Sequence, residues 1–342
     1  MQARSTLYAH AAAAPPLRSI NHAIGAATHT TVPPPPYITR TATASMEATP
    51  TWIGFDNDAA CQRYWSHLKA RERKDPAFKH DAPYAKHRRL YVDGVWQLCE
   101  DHRLAETTAH LATRYFDFAL QAAERTLFSE FSLDEIRVAC VLLAAKYDEH
   151  ESPPPRVLRG QDNSRLDAYR LREAEARVAE VLEWRLGVVT SLVALDLAAD
   201  FVVQAPDMVR GAPLQRSPKA QKFVASYARF FCNMSLQANR FQSIAPTLLC
   251  SAVIRATREL LNVSPSWPQR LVNFTGYADG DLSRLARDLL AYYRREFPDH
   301  HASVRSFAAS PKSVLDIGRE VRSPLGDVAN LDLDRDAGFL AR

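Results

Sequence analysis

Three sets of charged side chains interrupt apolar stretches of this chain, and any chemistry would sit there. Residues 138–149 read VACVLLAAKYDE: eight apolar, mostly small residues, then Lys146, Tyr147, Asp148 and Glu149. Glu175 lies in LREAEARVAEVLEWRL (171–186), where Leu171, Ala174, Val178, Val181, Leu182 and Trp184 supply an apolar side. Arg88, in HRRLYVDG, and Asp117, in RYFDFAL, each have apolar neighbours. Such residues suit ion pairing and gripping, not bond breaking. A cation at a helix C-terminus is favoured by the dipole and can cap carbonyls, so Lys146 is either such a cap or a contact for another molecule. Glu175 taken alone reads as an exposed helical glutamate. An unpaired buried charge is prohibitively costly, so Arg88 and Asp117 are expected to pair.

The sequence offers little to a catalyst. No nucleophile elbow, metal-ligand spacing or aspartate-rich helix is present. The 11 glycines form no phosphate-cradling cluster. His300 and His301 lie in a polar segment and read as solvated. No catalytic residue, metal or cofactor is therefore expected. The chain has 342 residues, 46% hydrophobic and 24% charged, the values of a soluble globular protein. A net charge of +4, without a dense basic block, argues against nucleic acid as a partner. No apolar run reaches the roughly 20 residues of a membrane span. Cys61, Cys99, Cys140, Cys232 and Cys250 show no C-x-x-C spacing; four lie in apolar runs and read as small buried hydrophobes, which suits the cytosol or nucleus.

Apolar residues recur at three and four positions from about 57 to 310, and no alternating stretch argues for strands. An all-α fold is expected. A charged helix over 57–73 holds Tyr64, Trp65 and Leu68; others run over 87–102 and from about 105. Ser132 with Glu135 makes a capping box for the helix that follows. A long helix over 166–186 should end at Gly187. The pattern then restarts, with helices near 190–204, 217–234, 242–261, 267–274 and 279–296. The third of these, carrying PTLLCSAVIRA (246–256), matches VACVLLAAKY in character and place. Two five-helix units follow, each wrapped on an apolar third helix that has no solvent face. The expected organisation is a disordered leader (1–50), a first unit with its preceding helix (51–187), a second unit (188–310) and a disordered tail (311–342). The leader also reads as a transit peptide, being acid-free before Glu47, and Met46 is an alternative start.

Four segments together resemble the cyclin box: HRRLYVDGVWQL (87–98), LAETTAHLATRYFDFAL (104–120), LDEIRVACVLLAAKYDE (133–149) and EARVAEVLEWRL (175–186). QSIAPTLLCSAVIRA (242–256) and SWPQRLVNFTGYADGDL (266–282) resemble the second cyclin fold, most closely that of mitotic A/B-type cyclins. The resemblance implies tandem cyclin folds and a heterodimer with a cyclin-dependent Ser/Thr kinase, active in S/G2/M and found in nucleus and cytoplasm. It implies that Lys146 and Glu175 grip the kinase near its αC helix. Tyr147, Asp148, Glu149, Ala179, Trp184, Cys61 and Tyr64 would lie in the same interface, and Arg88–Asp117 would be an internal salt bridge. A patch at His87, Leu90, Tyr91, Gly94 and Asp134 corresponds to the family's docking site for R-x-L substrates and inhibitors. Gly94 stands where the family pattern has tryptophan, so this patch is degenerate. R-S-T-L at 4–7 has the minimal form of a degradation box. Proline-directed sites occur at Thr49, Ser217, Ser310 and Ser323. Two alternatives remain open. One is a cyclin-fold transcription or scaffold protein, like the TFIIB relatives or retinoblastoma pockets. The other is a helical enzyme or scaffold unrelated to cyclins.

Overall fold

The structure is a computed structural model that describes residues 58–155, 166–209, 211–214 and 218–297. The leader, the R-S-T-L run, the four proline-directed sites, His300, His301 and the tail lie outside the described residues.

The first unit is built on a buried helix. Ser132 Oγ accepts from the Glu135 amide at 3.2 Å, and the Glu135 carboxylate accepts from the Ser132 amide at 2.8 Å. This reciprocal cap opens α4 (Leu133–Asp148), whose residues 138–145 are all buried. Such a helix needs neighbours on every side. They are α2 (Arg88–Asp101), α3 (Glu106–Glu130) and α5 (Ala168–Val181). In the second unit the same place belongs to α9 (Pro246–Leu260), buried throughout 249–258. Around it lie α6 (Ser191–Ala198), α7 (Pro218–Gln237) and α11 (Asp279–Glu296). The short α8 (Asn239–Gln242) and α10 (Gln269–Thr275) complete the unit. The tandem all-α organisation is as expected.

Three details differ from the sequence reading. First, α5 stops at Val181 and not at Gly187. Glu183 (φ 52°) and Trp184 (φ 57°) turn left-handed, and their amides bond back to the carbonyls of Glu180 and Ala179, both at 2.9 Å. That is a Schellman closure made without glycine. Second, there is a small antiparallel sheet, with β1 (Met208–Val209) between β2 (Ala212–Pro213) and β3 (Val263–Ser264). Two-residue strands leave no alternation to detect. The buried Arg258–Asp207 pair, at 2.6 Å, fastens it: Arg258 also donates to the Val202 and Pro265 carbonyls.

Third, α1 (Asp58–Glu72) precedes the first unit but packs on the second. Trp65 and Leu68 belong to the second core, Trp65 Nε1 donates to the Thr275 carbonyl at 3.1 Å, and Gln62 donates to that of Asn273 at 2.7 Å. Glu72 accepts from the amide and hydroxyl of Thr247 at 2.8 and 2.6 Å. The exchange is mutual, because Leu236 at the end of α7 belongs to the first core.

Candidate functional site

The end of α4 meets the middle of α5, and there Lys146 Nζ donates to Glu175 Oε1. The two residues are 29 apart in sequence. The glutamate is largely covered, whereas the lysine side chain is 49% exposed. An ammonium carries three donors, so the bond to Glu175 orients Lys146 without exhausting it. Tyr147, the residue after Lys146, is 53% exposed, and Trp184, just past the end of α5, is 67% exposed. The left-handed turn that ends α5 lifts Trp184 clear, while Leu182 beside it is buried. The linker here is tightly held. Tyr115 donates its hydroxyl to the Leu186 carbonyl and Arg71 donates to the Gly187 carbonyl. The arrangement is an oriented cation and two aromatic surfaces, which suits a protein contact.

Other residues expected in this interface also make contacts within the chain. Ala105 offers no capping side chain to α3, and Glu149 compensates by accepting from the Ala105 amide and the Thr108 hydroxyl, both at 2.6 Å. Asp148 accepts from Thr107 and Thr108 at 2.5 and 3.1 Å. Carboxylates there are favoured by the dipole of α3. Ala179 is buried, and its carbonyl receives the Trp184 amide. Cys61 and Tyr64 are half-buried against the second core. Of the nine residues expected to touch the kinase, Lys146, Tyr147, Asp148 and Trp184 are exposed.

Arg88 and Asp117 form a bidentate pair of 2.7 and 2.8 Å, both fully buried. Tyr84 adds a hydroxyl bond to Asp117 at 3.2 Å, and Arg88 Nη1 reaches the Leu236 carbonyl of the second unit at 2.8 Å. The sequence pointed to α2 and α3; the third tie was not visible in it. Nearby, His110 Nε2 meets Asn233 Oδ1 at 2.9 Å across the same boundary. Burial lowers the His110 imidazole to about 4, with Asn233 opposing the shift and Arg229 adding to it.

The expected docking patch is reshaped. Leu90 is 44% exposed, His87 is exposed and Tyr91 is half-buried, but Gly94 is buried under Arg137. A Cβ on Gly94 would lie 2.5 Å from Arg137 Nη1 and 3.2 Å from its Cδ. Arg137 is only 2% exposed and is paired with Asp134. Burial lowers its guanidinium from the ordinary value, with Asp134 opposing. The glycine thus admits an arginine from the hub helix. The available signal was Arg137 itself, a large charge one turn into an apolar helix.

The description "Cyclin, N-terminal domain" matches residues 62–187, and "Cyclin, C-terminal domain" matches residues 213–317. The chain belongs to the cyclin family. Among its relatives, Cyclin-J of Xenopus laevis is 29% identical over 62% of this chain and 56% of its own length. A Cyclin-J-like protein of Mus musculus is 28% identical over 73% of this cyclin and 65% of its own length. G2/mitotic-specific cyclin-1 of Antirrhinum majus is 23% identical over 60% and 40%. This cyclin therefore spans between 40% and 65% of the length of these three relatives. The crystal structure of a viral cyclin from herpesvirus saimiri shares the fold, with a TM-score of 0.54 and 18% identity over 69% of this chain and 98% of that one. Among the described residues, no group of side chains is placed to hold a metal, and no helix is long and apolar enough to cross a membrane.

Proposed function

We propose that this cyclin is the regulatory subunit of a cyclin-dependent Ser/Thr protein kinase, bound as a heterodimer and acting without catalytic groups of its own. The supporting observation is the Lys146–Glu175 pair between α4 and α5, with Tyr147 next to Lys146 in the chain and Trp184 past the end of α5 both exposed. A kinase is active only with its αC helix and activation loop in place. A partner shifts that equilibrium by binding the active form better, and a change from mostly inactive to mostly active takes about 5.5 kcal/mol of differential affinity. An obligate interface of the usual size, above roughly 2,000 Å², can supply this.

Action in S/G2/M, in nucleus and cytoplasm, is the finer part of the proposal. Its support is the resemblance of the run SWPQRLVNFTGYADGDL (266–282) to mitotic A/B-type cyclins. The test is co-purification of a Ser/Thr kinase from cells with the wild-type chain and with Lys146→Ala and Glu175→Ala. Truncating half of a buried polar clamp costs about 2–5 kcal/mol, so capture and kinase activation should fall roughly 30-fold or more. Unchanged capture and activity in both variants would overturn the kinase-grip reading.

A further inference from the structure

A second surface on this molecule is unlike its surroundings. Where the end of α11 meets α2 and α8, Arg89, Arg240 and Arg295 gather around one phenol. The Arg240 and Arg295 guanidiniums lie 4.8 and 5.2 Å from the Tyr292 ring centre, and all three arginines act electrostatically on its hydroxyl. Glu296 answers two of them, pairing with Arg89 at 2.9 Å and Arg295 at 3.1 Å, while Arg240 donates to the Asp288 carbonyl at 3.1 Å. Asp93 also faces Arg89 and accepts from Gln237 at 2.9 Å; burial pushes its carboxyl up, with Arg89 opposing. The three arginines are exposed, and so is Leu90, the neighbour of Arg89. The surface offers cations around an aromatic floor with an apolar edge.

The described chain ends at Phe297, one residue beyond this cluster. The sequence then continues to a segment of opposite character. Residues 327–336 read DVANLDLDRD: four aspartates against one arginine, with Leu331 and Leu333 alternating among them. This lies past residue 317, where the family match stops. We infer that residues 327–336 dock in cis on the Arg89, Arg240 and Arg295 cradle, with aspartates on the guanidiniums and leucines over Leu90. Residues 298–326 join this segment covalently to the described fold, so docking needs no second molecule. Tethering of this kind gives effective concentrations in the millimolar range, so a weak charge match is enough. The docked segment would cover Leu90, and its presence does not depend on which kinase is bound.

Hydrogen exchange of the full chain, read by mass spectrometry, tests this. Exchange over 327–336 should be slowed about threefold or more at low salt, and residues 89–90 should be protected in parallel. Both effects should vanish in 0.5 M salt, where screening confines charge interactions to a few ångströms. They should also vanish in an Asp332→Asn, Asp334→Asn, Asp336→Asn variant, whose changes lie outside the described fold. Arg240→Glu with Arg295→Glu should have the same effect, and adding Asp332→Arg and Asp334→Arg should restore protection. Equal exchange in wild type and the Asn variant would overturn the inference. Protection that rises with protein concentration would overturn docking in cis, since the partner would then be a second copy. Protection of 89–90 only on adding a separate acidic protein would overturn it too.

Discussion

Single charges in this cyclin divide by whether their partner is inside the molecule. Arg88 and Asp117 are wholly internal. Removing one member leaves a buried charge uncompensated, at a cost of about 3–5 kcal/mol. Arg88→Ala should therefore lower the thermal midpoint by roughly 6–15 °C in a chain of this size, as calorimetry would show. Lys146 is half open, and in the free chain its bond to Glu175 is worth about 1 kcal/mol or less. Lys146→Ala should thus leave the midpoint of the isolated chain within about 2 °C while weakening kinase capture. That separation between stability and binding distinguishes the two pairs. A large fall in midpoint for Lys146→Ala would mean that the lysine is a structural cap. His110 behaves differently again. Its imidazole is neutral when folded, with a value lowered to about 4 from an ordinary value near 6.5. The stability tied to it is complete above about pH 6.5 and is lost as pH falls toward 4, because the unfolded chain binds the proton more readily. Glu106 and Asp196, both raised by burial with Arg229 opposing, act with the opposite sign in the same region. The test is consequently a difference: urea midpoints of wild type and His110→Gln should converge as pH falls from 6.5 to 4. Parallel curves would remove His110 from the account.

At the scale of elements, helices with strong local signals were readable and their partners were not. The capping box at Ser132 and the apolar run after it marked α4, and α11 runs over the expected 279–296. The end of α5 was missed because the glycine at 187 is the usual stop, whereas tertiary packing here holds Glu183 and Trp184 left-handed. Lys146 and Glu175 stood out as charges in apolar helices. That Asp148 and Glu149 bond back to the start of α3 was invisible, since it depends on α3 starting at a residue with no capping side chain. Gly94 is similar. In isolation it is a weak point in α2, costing about 1 kcal/mol against alanine; in the fold it admits Arg137. Gly94→Trp should destabilise the chain by about 1–3 kcal/mol through overpacking. Adding Arg137→Ala should recover much of that loss, giving a coupling energy within the 0.5–3 kcal/mol seen for residues in contact. Additive effects in denaturant melts would show that the two positions do not share one space.

Across the whole molecule, the two cyclin folds hold each other through buried bonds. Arg88 reaches the Leu236 carbonyl, Asn239 donates to the Ala85 carbonyl at 2.7 Å, and His110 meets Asn233. Unit boundaries drawn from sequence hide this, because Leu236 lies in the first core and Trp65 in the second. A single calorimetric transition is expected, with matching calorimetric and van't Hoff enthalpies; two resolved peaks would show that the folds melt separately. The placement of α1 also bears on how the chain is made. Trp65 bonds to a carbonyl 210 residues further on. At 5–20 residues per second a ribosome needs roughly 10–40 s to make that stretch. Throughout that time α1 has emerged with its tryptophan and no groove to receive it, so the first helix among the described residues is among the last to be seated, and the nascent chain must be kept from aggregating for as long as the wait lasts.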